Sequence, residues 1–318
     1  MDLGEAVMIK IVEVGPRDGL QNEFSMVPTS AKIDFVNALS RTGVNEIEVS
    51  AFVSPKKIPQ LQDAAIVFEK IHRVKGVVYS ALVPNEKGLE RAFQAGVDKV
   101  SLFTAASETF NQKNINTSIK GSLARFRPVV TQAGKRGRPI RAYISTAFWC
   151  AFEGKISAQK VVNLASSLMD MGIDELSISD TIGKATPDDV EQLMDSLLPI
   201  VPPDRIAVHY HDTYANGIAN VLKSLSYGIR TVDASVGGLG GCPFAPGATG
   251  NVSTEDVIRA LRNAGETLTA NIDRLLQARE LLNPYLPAPS LPETDPPDCS
   301  TCEFFNNGLC CGRHELTL

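Results

Sequence analysis

What this sequence of 318 residues has little of narrows it before any motif is read. Basic residues are in no excess. The net charge of -5 leaves no electrostatic footprint for nucleic acid, and no polybasic run marks a membrane surface. No apolar stretch is long enough to span a bilayer. The start, MDLGEAVMIK, lacks the basic stretch and apolar run of a secretory signal. It is also acidic and poor in Arg and Ser, unlike an organelle transit peptide, so a cytoplasmic location is expected. Cysteine is scarce in the body, where only Cys150 and Cys242 occur; Cys299, Cys302, Cys310 and Cys311 crowd the tail. A chain this long needs no disulfide scaffold, so the body reads as protein of a reducing compartment.

What is present suits a soluble globular protein with a large core: 43% hydrophobic and 21% charged residues. Short β-branched runs alternate with amphipathic stretches throughout. Strands are expected at 10–14, 46–49, 77–82, 99–103, 141–145, 175–179, 206–209 and 231–235. Between them lie helical spacings, with Ser30 expected to cap the first and Thr186-Pro187 to open another. Gly43, Gly96, Gly172 and Gly228 each close such a segment. Strict alternation argues for a parallel sheet, and eight units are the number that closes a barrel. An open doubly wound sheet would carry a glycine fingerprint after its first strand, and GPRDGLQNE is not one. The expected fold is therefore a (β/α)8 TIM barrel over residues 1–286, with an extra C-terminal helix at 271–286. Residues 287–318 form a proline-rich, acidic linker and a cysteine-rich tail.

The residues capable of chemistry share one register. Arg17 and Asp18 follow the first strand, and Glu48 and Ser50 end the second. Tyr143 and Ser145 end the fifth, Asp180 the sixth, and His209 and His211 the seventh, while Cys242 follows the eighth. C-terminal strand ends form one mouth of a barrel, where such enzymes build their sites. Only four histidines occur, and two of them stand in HYHD. At i and i+2 on a strand both imidazoles face the same way and can converge on one ion. The competing reading is two hydrogen-bonded structural histidines, which Asp18 at the same mouth disfavours. Two imidazoles, a carboxylate and the amide oxygen of Asn251, with no thiolate, suit Mg²⁺ or Mn²⁺ better than structural zinc. Arg17 is placed to stabilise an oxyanion beside the cation, although adjacent opposite charges are more often a plain ion pair. Glu48 and Asp180, on apolar strand ends, need partners such as Arg17 or the metal ligands. The glycine-rich loop GGLGGCPFAPGATGN, residues 237–251, displays Cys242 and ends on Asn251.

Together GPRDGLQNE, EVSAFVSPKKIPQ, SLFTAASETFNQKNIN, FEGKIS, SISDTIG, AVHYHDTYANGIAN and GGLGGCPFAPGATGN resemble the 3-hydroxy-3-methylglutaryl-CoA lyase family, in colinear order from about residue 10 to 260. RDG and HxHD recur in related aldol- and Claisen-type barrels; the cysteine-bearing loop with GPRDGLQNE is specific to the lyase branch. The resemblance implies Mg²⁺ or Mn²⁺ on Asp18, His209, His211 and Asn251. It implies retro-Claisen cleavage of an acyl-CoA to acetyl-CoA and acetoacetate, a reaction of the leucine-degradation and ketone-body type. It further implies that Arg17 holds the acetyl-CoA enolate, that Cys242 reprotonates it, and that Glu48, Tyr143 and Asp180 shape the site. His211 and a metal-bound water are both candidates for the base. Gln21, Ser50, Ser145, Lys113 and Asn114 are expected substrate contacts, with Lys56 and Lys57 near the CoA phosphates. The resemblance also implies a homodimer or higher homo-oligomer.

Two departures bear on the substrate. Phe24 stands where many members have lysine, and TAFWCAFEG inserts Phe148 and Trp149 after the fifth strand. A paralogue acting on a different 3-hydroxy-3-carboxymethyl acyl-CoA is therefore an alternative. A condensing synthase of the isopropylmalate or homocitrate type is another, although those proteins usually carry a further C-terminal domain. A catalytically silent barrel acting through its tail is the reading from a different class. In the tail, CxxC, CC and His314 fit a zinc site, a redox thiol cluster or inert sequence.

Overall fold

The strand-like runs become strands, and they close on themselves. A computed structural model describes residues 8–23, 25–240 and 250–286. Its strands are β1 (Lys10–Glu13), β2 (Glu46–Ala51), β3 (Val78–Leu82), β4 (Lys99–Ala105), β5 (Ile140–Ser145), the short β6 (Trp149–Cys150) and β7 (Gly154–Lys155), β8 (Glu175–Asp180), β9 (Ile206–Tyr210) and β10 (Thr231–Ala234). Eight of them form a closed barrel in the order β1-β10-β9-β8-β5-β4-β3-β2, and every neighbouring pair is parallel. β6 and β7 are a separate antiparallel hairpin, which carries Trp149. The fold is a TIM barrel.

The helices are α1 (Thr29–Leu39), α2 (Ala64–Lys70), α3 (Glu86–Gln94), α4 (Glu108–Ile115), α5 (Ile119–Lys135), α6 (Ala158–Met171), α7 (Pro187–Leu197), α8 (Gly217–Ser226), α9 (Thr254–Asn263) and α10 (Ile272–Glu280). α10 is the extra C-terminal helix and packs on α1. Thr186 and Asp189 form a reciprocal capping box at α7. Ser30 does not cap α1: the helix already begins at Thr29 behind Pro28, whose extended backbone sets the entry. Gly43, Gly96, Gly172 and Gly228 all take positive φ, as the end of a helical segment favours.

Register fixes what faces the barrel interior, because partners across a parallel ladder point to the same side. Asp233 pairs with His209 and with Val12. His209 pairs with Ser179, Tyr143 with Ser177 and Arg141 with Glu175, and Glu48 with Ser80. These rows point inward, so Glu46, Glu48, Lys99, Arg141, Tyr143, Glu175, His209 and Asp233 share the interior. Such a polar filling is unusual for a barrel centre, where bulky branched residues normally dominate. The apolar rows face outward instead, into a core shared with the helices. Among the described residues no helix is long and apolar enough to cross a membrane. Phe24, Cys242 and the expected linker and tail, with Cys299, Cys302, Cys310, Cys311 and His314, lie outside the described residues.

Candidate active site

The chain leaves β1 through a π-helical turn, Gly15–Gly19, in which the N–H groups of Arg17, Asp18 and Gly19 all donate to the carbonyl of Val14 at 2.7 to 3.2 Å. Single π turns of this kind are frequent at functional sites, and this one delivers Arg17 and Asp18 together to the mouth. Two strands away in the barrel, β9 carries His209 as its last residue but one, and His211 follows at i+2. Ligand atoms of Asp18, His209 and His211 all lie within 4.8 Å of one another. Asn251 joins them through an isolated bridge to His211, its Nδ2 donating to Asp18 Oδ2 at 3.0 Å and to the Leu239 carbonyl at 2.9 Å. Gly240 makes this closeness possible. Its φ is +100°, and a Cβ there would stand 2.8 Å from both Asn251 Nδ2 and the Gly19 Cα.

The charge state of the cluster suits a cation. Burial pushes the Asp18 carboxyl up, but Arg17, then His209, His211 and the Asn251 amide, outweigh it and hold it at about 2. Burial, with His209 beside it, lowers His211 to about 4 against the pull of Asp18. His211 is thus neutral near pH 7, and its buried Nδ1 has no protein partner. A carboxylate, two imidazoles and an orphaned nitrogen lone pair in one pocket fit a divalent metal.

Arg17 is locked in place. Its Nε donates to Glu48 Oε2 at 2.5 Å, and Nη1 donates to Asp18 Oδ1. Burial alone would lower the guanidinium pKa; Glu48 and Asp18 raise it above the usual value. Tyr143 donates its hydroxyl to the same Glu48 oxygen at 3.0 Å, and the Arg17 guanidinium lies 5.0 Å from the Tyr143 ring centre. A cavity of about 670 Å³ opens over the cluster, lined by Arg17, Asp18, Gln21, Asn114, Tyr143, Ser145, His209 and His211, with an apolar wall of Leu82, Phe103, Phe110 and Phe126.

The structure therefore gathers Arg17, Asp18, Gln21, Glu48, Asn114, Tyr143, Ser145, His209, His211 and Asn251. Gln21 donates to Asp18 Oδ1 at 2.7 Å. Others are not gathered. Asp180 follows the inward Ser179 and so faces the helices; its carboxylate accepts from the N–H groups of Lys184 (3.2 Å) and Ala185 (2.8 Å). Burial, partly offset by those bonds, raises it to about 7. Ser50 is buried at the β2 bulge and does not line the cavity. Lys113 lies over the Phe152 ring at 4.7 Å, and of the two loop lysines only Lys57 reaches the cavity wall. Trp149 donates to Asp189 at 3.2 Å and Phe148 packs on Tyr210; neither lines the cavity.

Sequence reading missed Asp233 and Arg141. Asp233 Oδ2 lies 3.4 Å from His209 Nδ1, and Arg141 Nη1 donates to Asp233 Oδ1 at 2.6 Å. The signal was available: both are charged residues at alternate positions in apolar strands, inside rather than at the C-terminal ends.

Known proteins share this fold. Residues 8–282 match the HMGL-like family. The cytoplasmic 3-hydroxy-3-methylglutaryl-CoA lyase of Rattus norvegicus is 46% identical over 274 residues, 86% of this chain and 80% of that protein. The crystal structure of the HMG-CoA lyase from Brucella melitensis superposes with a TM-score of 0.85 at 45% identity, covering 87% of this chain and 98% of that one. An HMG-CoA lyase from Acinetobacter baumannii, solved with coenzyme A and 3-methylmalate, gives a TM-score of 0.83 at 36% identity over 98% of each chain. On the match over residues 8–282 and the identity to these relatives, the chain belongs to the HMGL-like family of carbon–carbon lyases.

Proposed function

We propose that this chain cleaves 3-hydroxy-3-methylglutaryl-CoA to acetyl-CoA and acetoacetate, using Mg²⁺ or Mn²⁺ held by Asp18, His209, His211 and Asn251. The observation that carries the reading is the convergence of Asp18, His209 and His211 beside a locked Arg17 at a cavity of about 670 Å³. The similarity to lyases at 46% identity supports the substrate, and the Acinetobacter baumannii relative's complex supports coenzyme A and a hydroxy-dicarboxylate in this cavity. Held by these four residues, a cation would supply Lewis acidity that lets the tertiary hydroxyl give its proton near neutral pH to a base, for which His211 and a water are the candidates. The bond between C2 and C3 then breaks. C3 becomes the ketone of acetoacetate, and the electron pair passes to the thioester as the acetyl-CoA enolate. Arg17 spends two of its N–H groups on Glu48 and Asp18 and lines the cavity; the remaining donors of its fork hold the enolate oxygen. Cys242, on the glycine-rich loop, returns the proton to C2. Glu48 and Tyr143 keep Arg17 aimed, and Gln21, Ser145 and Asn114 contact the acyl-CoA.

Because Trp149 and Phe148 pack away from the cavity, they give no support to a larger acyl group. The test is cleavage of HMG-CoA and of longer-branched analogues by the full chain with Mg²⁺ or Mn²⁺, and after chelation. Equal release of acetyl-CoA and acetoacetate, abolished by chelation, is expected. Preference for a longer branch would establish the paralogue reading. Condensation of acetyl-CoA with a 2-oxo acid, with thiol release, would establish the synthase. Residues 1–286 are proposed as the catalytic unit and 287–318 as an appendage. Truncation at residue 288 with unchanged kcat and one metal per barrel supports that; a second, lost metal would mark a tail site.

A further inference from the structure

We infer that Asp233, held by Arg141 and Ser177, is a positioning residue that fixes the proton of His209 on Nδ1 and so presents Nε2 to the cation. The inference rests on the metal-site reading above and extends it to residues beyond the four proposed ligands.

His209 lies between two carboxylates. Its Nε2 is 3.8 Å from Asp18 Oδ2, and its Nδ1 is 3.4 Å from Asp233 Oδ2. Nδ1 is buried and has no other hydrogen-bond partner among the described residues, so the Asp233 carboxylate is the acceptor that a modest ring rotation aligns with it. Asp233 itself is fixed. Its Oδ1 accepts from Arg141 Nη1 at 2.6 Å and its Oδ2 from Ser177 Oγ at 2.8 Å. Arg141 has no solvent exposure and is held in turn by Glu175, while Lys99 bridges Glu175 and Glu46 at 2.8 Å each. An imidazole binds a metal through its unprotonated nitrogen, and a carboxylate on the other nitrogen selects which one that is.

The arrangement continues past Arg141. Arg141 Nη1 lies 3.5 Å from the Tyr143 hydroxyl, Tyr143 donates to Glu48, Glu48 accepts from Arg17, and Arg17 donates to Asp18. Two of the proposed ligands, His209 and Asp18, are therefore the ends of one buried polar chain through the barrel. Neither can reorient without breaking a link within it, which organises the pair before a cation arrives.

The experiment uses the full-length chain with ¹⁵N-labelled histidine. Long-range ¹H–¹⁵N spectra are recorded metal-free and with Mg²⁺, and His209→Gln identifies the signal. Nδ1 of His209 is expected to carry a proton in both states; an unprotonated Nδ1 in either overturns the inference. Mn²⁺ affinity, measured by electron paramagnetic resonance of the free ion, is then compared in Asp233→Asn. Asn can still accept from Arg141, but its amide nitrogen cannot accept from Nδ1–H. Binding weaker by about 10- to 100-fold is expected below the variant's unfolding transition, which falls because the buried Arg141 loses a charge partner. Affinity within about twofold of the parent overturns the inference. If the variant does not fold, the spectra of the parent protein alone decide. If the parent binds no Mn²⁺, the metal-site reading fails, while the proton position in the metal-free chain still tests Asp233.

Discussion

Replacing Glu13 by Gln changes how stability depends on pH and leaves the fold's contacts intact. Glu13, on the outward side of β1, has no solvent exposure. Its Oε1 accepts from the N–H of Gly15 at 2.9 Å and of Val236 at 3.0 Å, and its Oε2 accepts from the Thr254 hydroxyl at 2.6 Å. Burial outweighs these bonds, and the carboxyl rises from 4.5 to about 7. In this case the folded chain binds more protons than the unfolded one between pH 4.5 and 7. Stability is then fully present below 4.5 and is lost as pH rises to about 7, after which the loss is constant. The shift corresponds to a loss on the order of 3 kcal/mol. Gln keeps Oε1 for both backbone donors and turns its amide nitrogen to Thr254 Oγ1, which can accept. Glu13→Gln and the parent should melt together near pH 4.5 and separate by several degrees at pH 8, with the variant the more stable. Other titrating groups, Asp18 and His211 among them, are common to both proteins and cancel in the difference. Thermal midpoints from pH 4 to 8 give the result. A constant difference across that range would refute the argument that burial holds Glu13 protonated.

Three further outcomes follow from the site. Arg17→Lys keeps a charge but not the fork that reaches Glu48 and Asp18 together; kcat should fall by about 10²- to 10³-fold with KM changed only a few-fold, as steady-state kinetics will show. Gly240→Ala drives a Cβ against Asn251 and Gly19; we expect a loss of about 1–3 kcal/mol in denaturant unfolding and weaker Mn²⁺ binding in the same sample. Trp149→Phe removes the bond to Asp189 and costs about 1 kcal/mol, yet the ratio of kcat/KM for HMG-CoA over a longer-branched analogue should stay within about twofold, since the ring is away from the cavity.

The barrel was legible because its outward rows are apolar and its strands short. Each strand expected from a β-branched run lies within two residues of its observed ends, and glycines at 43, 96, 172 and 228 marked where helical segments stop. The mouth was legible because Asp18, Ser145, His209 and His211 sit near or beyond strand ends. Asp180 shows the limit of that rule. It ends β8 as His209 nearly ends β9, but side chains alternate, and the register of Ser179 with His209 sends Asp180 to the helix side. Register is a property of neighbouring strands and cannot be counted along one of them.

The interior charges were hidden for a related reason. Glu46, Lys99, Arg141, Glu175 and Asp233 alternate with apolar neighbours, which in a single strand reads as a solvated face. Only closure of the barrel brings Arg141 to Asp233, 92 residues away, and Lys99 to Glu175, 76 away. Buried ion pairs add little net stability, since desolvation cancels most of the attraction, and a well-packed apolar set of equal volume is often the more stable choice. Stability therefore gives no account of five charged residues at the centre of this barrel. Geometry does. Removing any one partner leaves a buried charge uncompensated, so each side chain is confined to the orientation its neighbours dictate. That confinement runs from Lys99 at the closed end, through Arg141 and Asp233, to the imidazole of His209 at the open end. An apolar filling would hold the same strands together but would leave His209 free to turn.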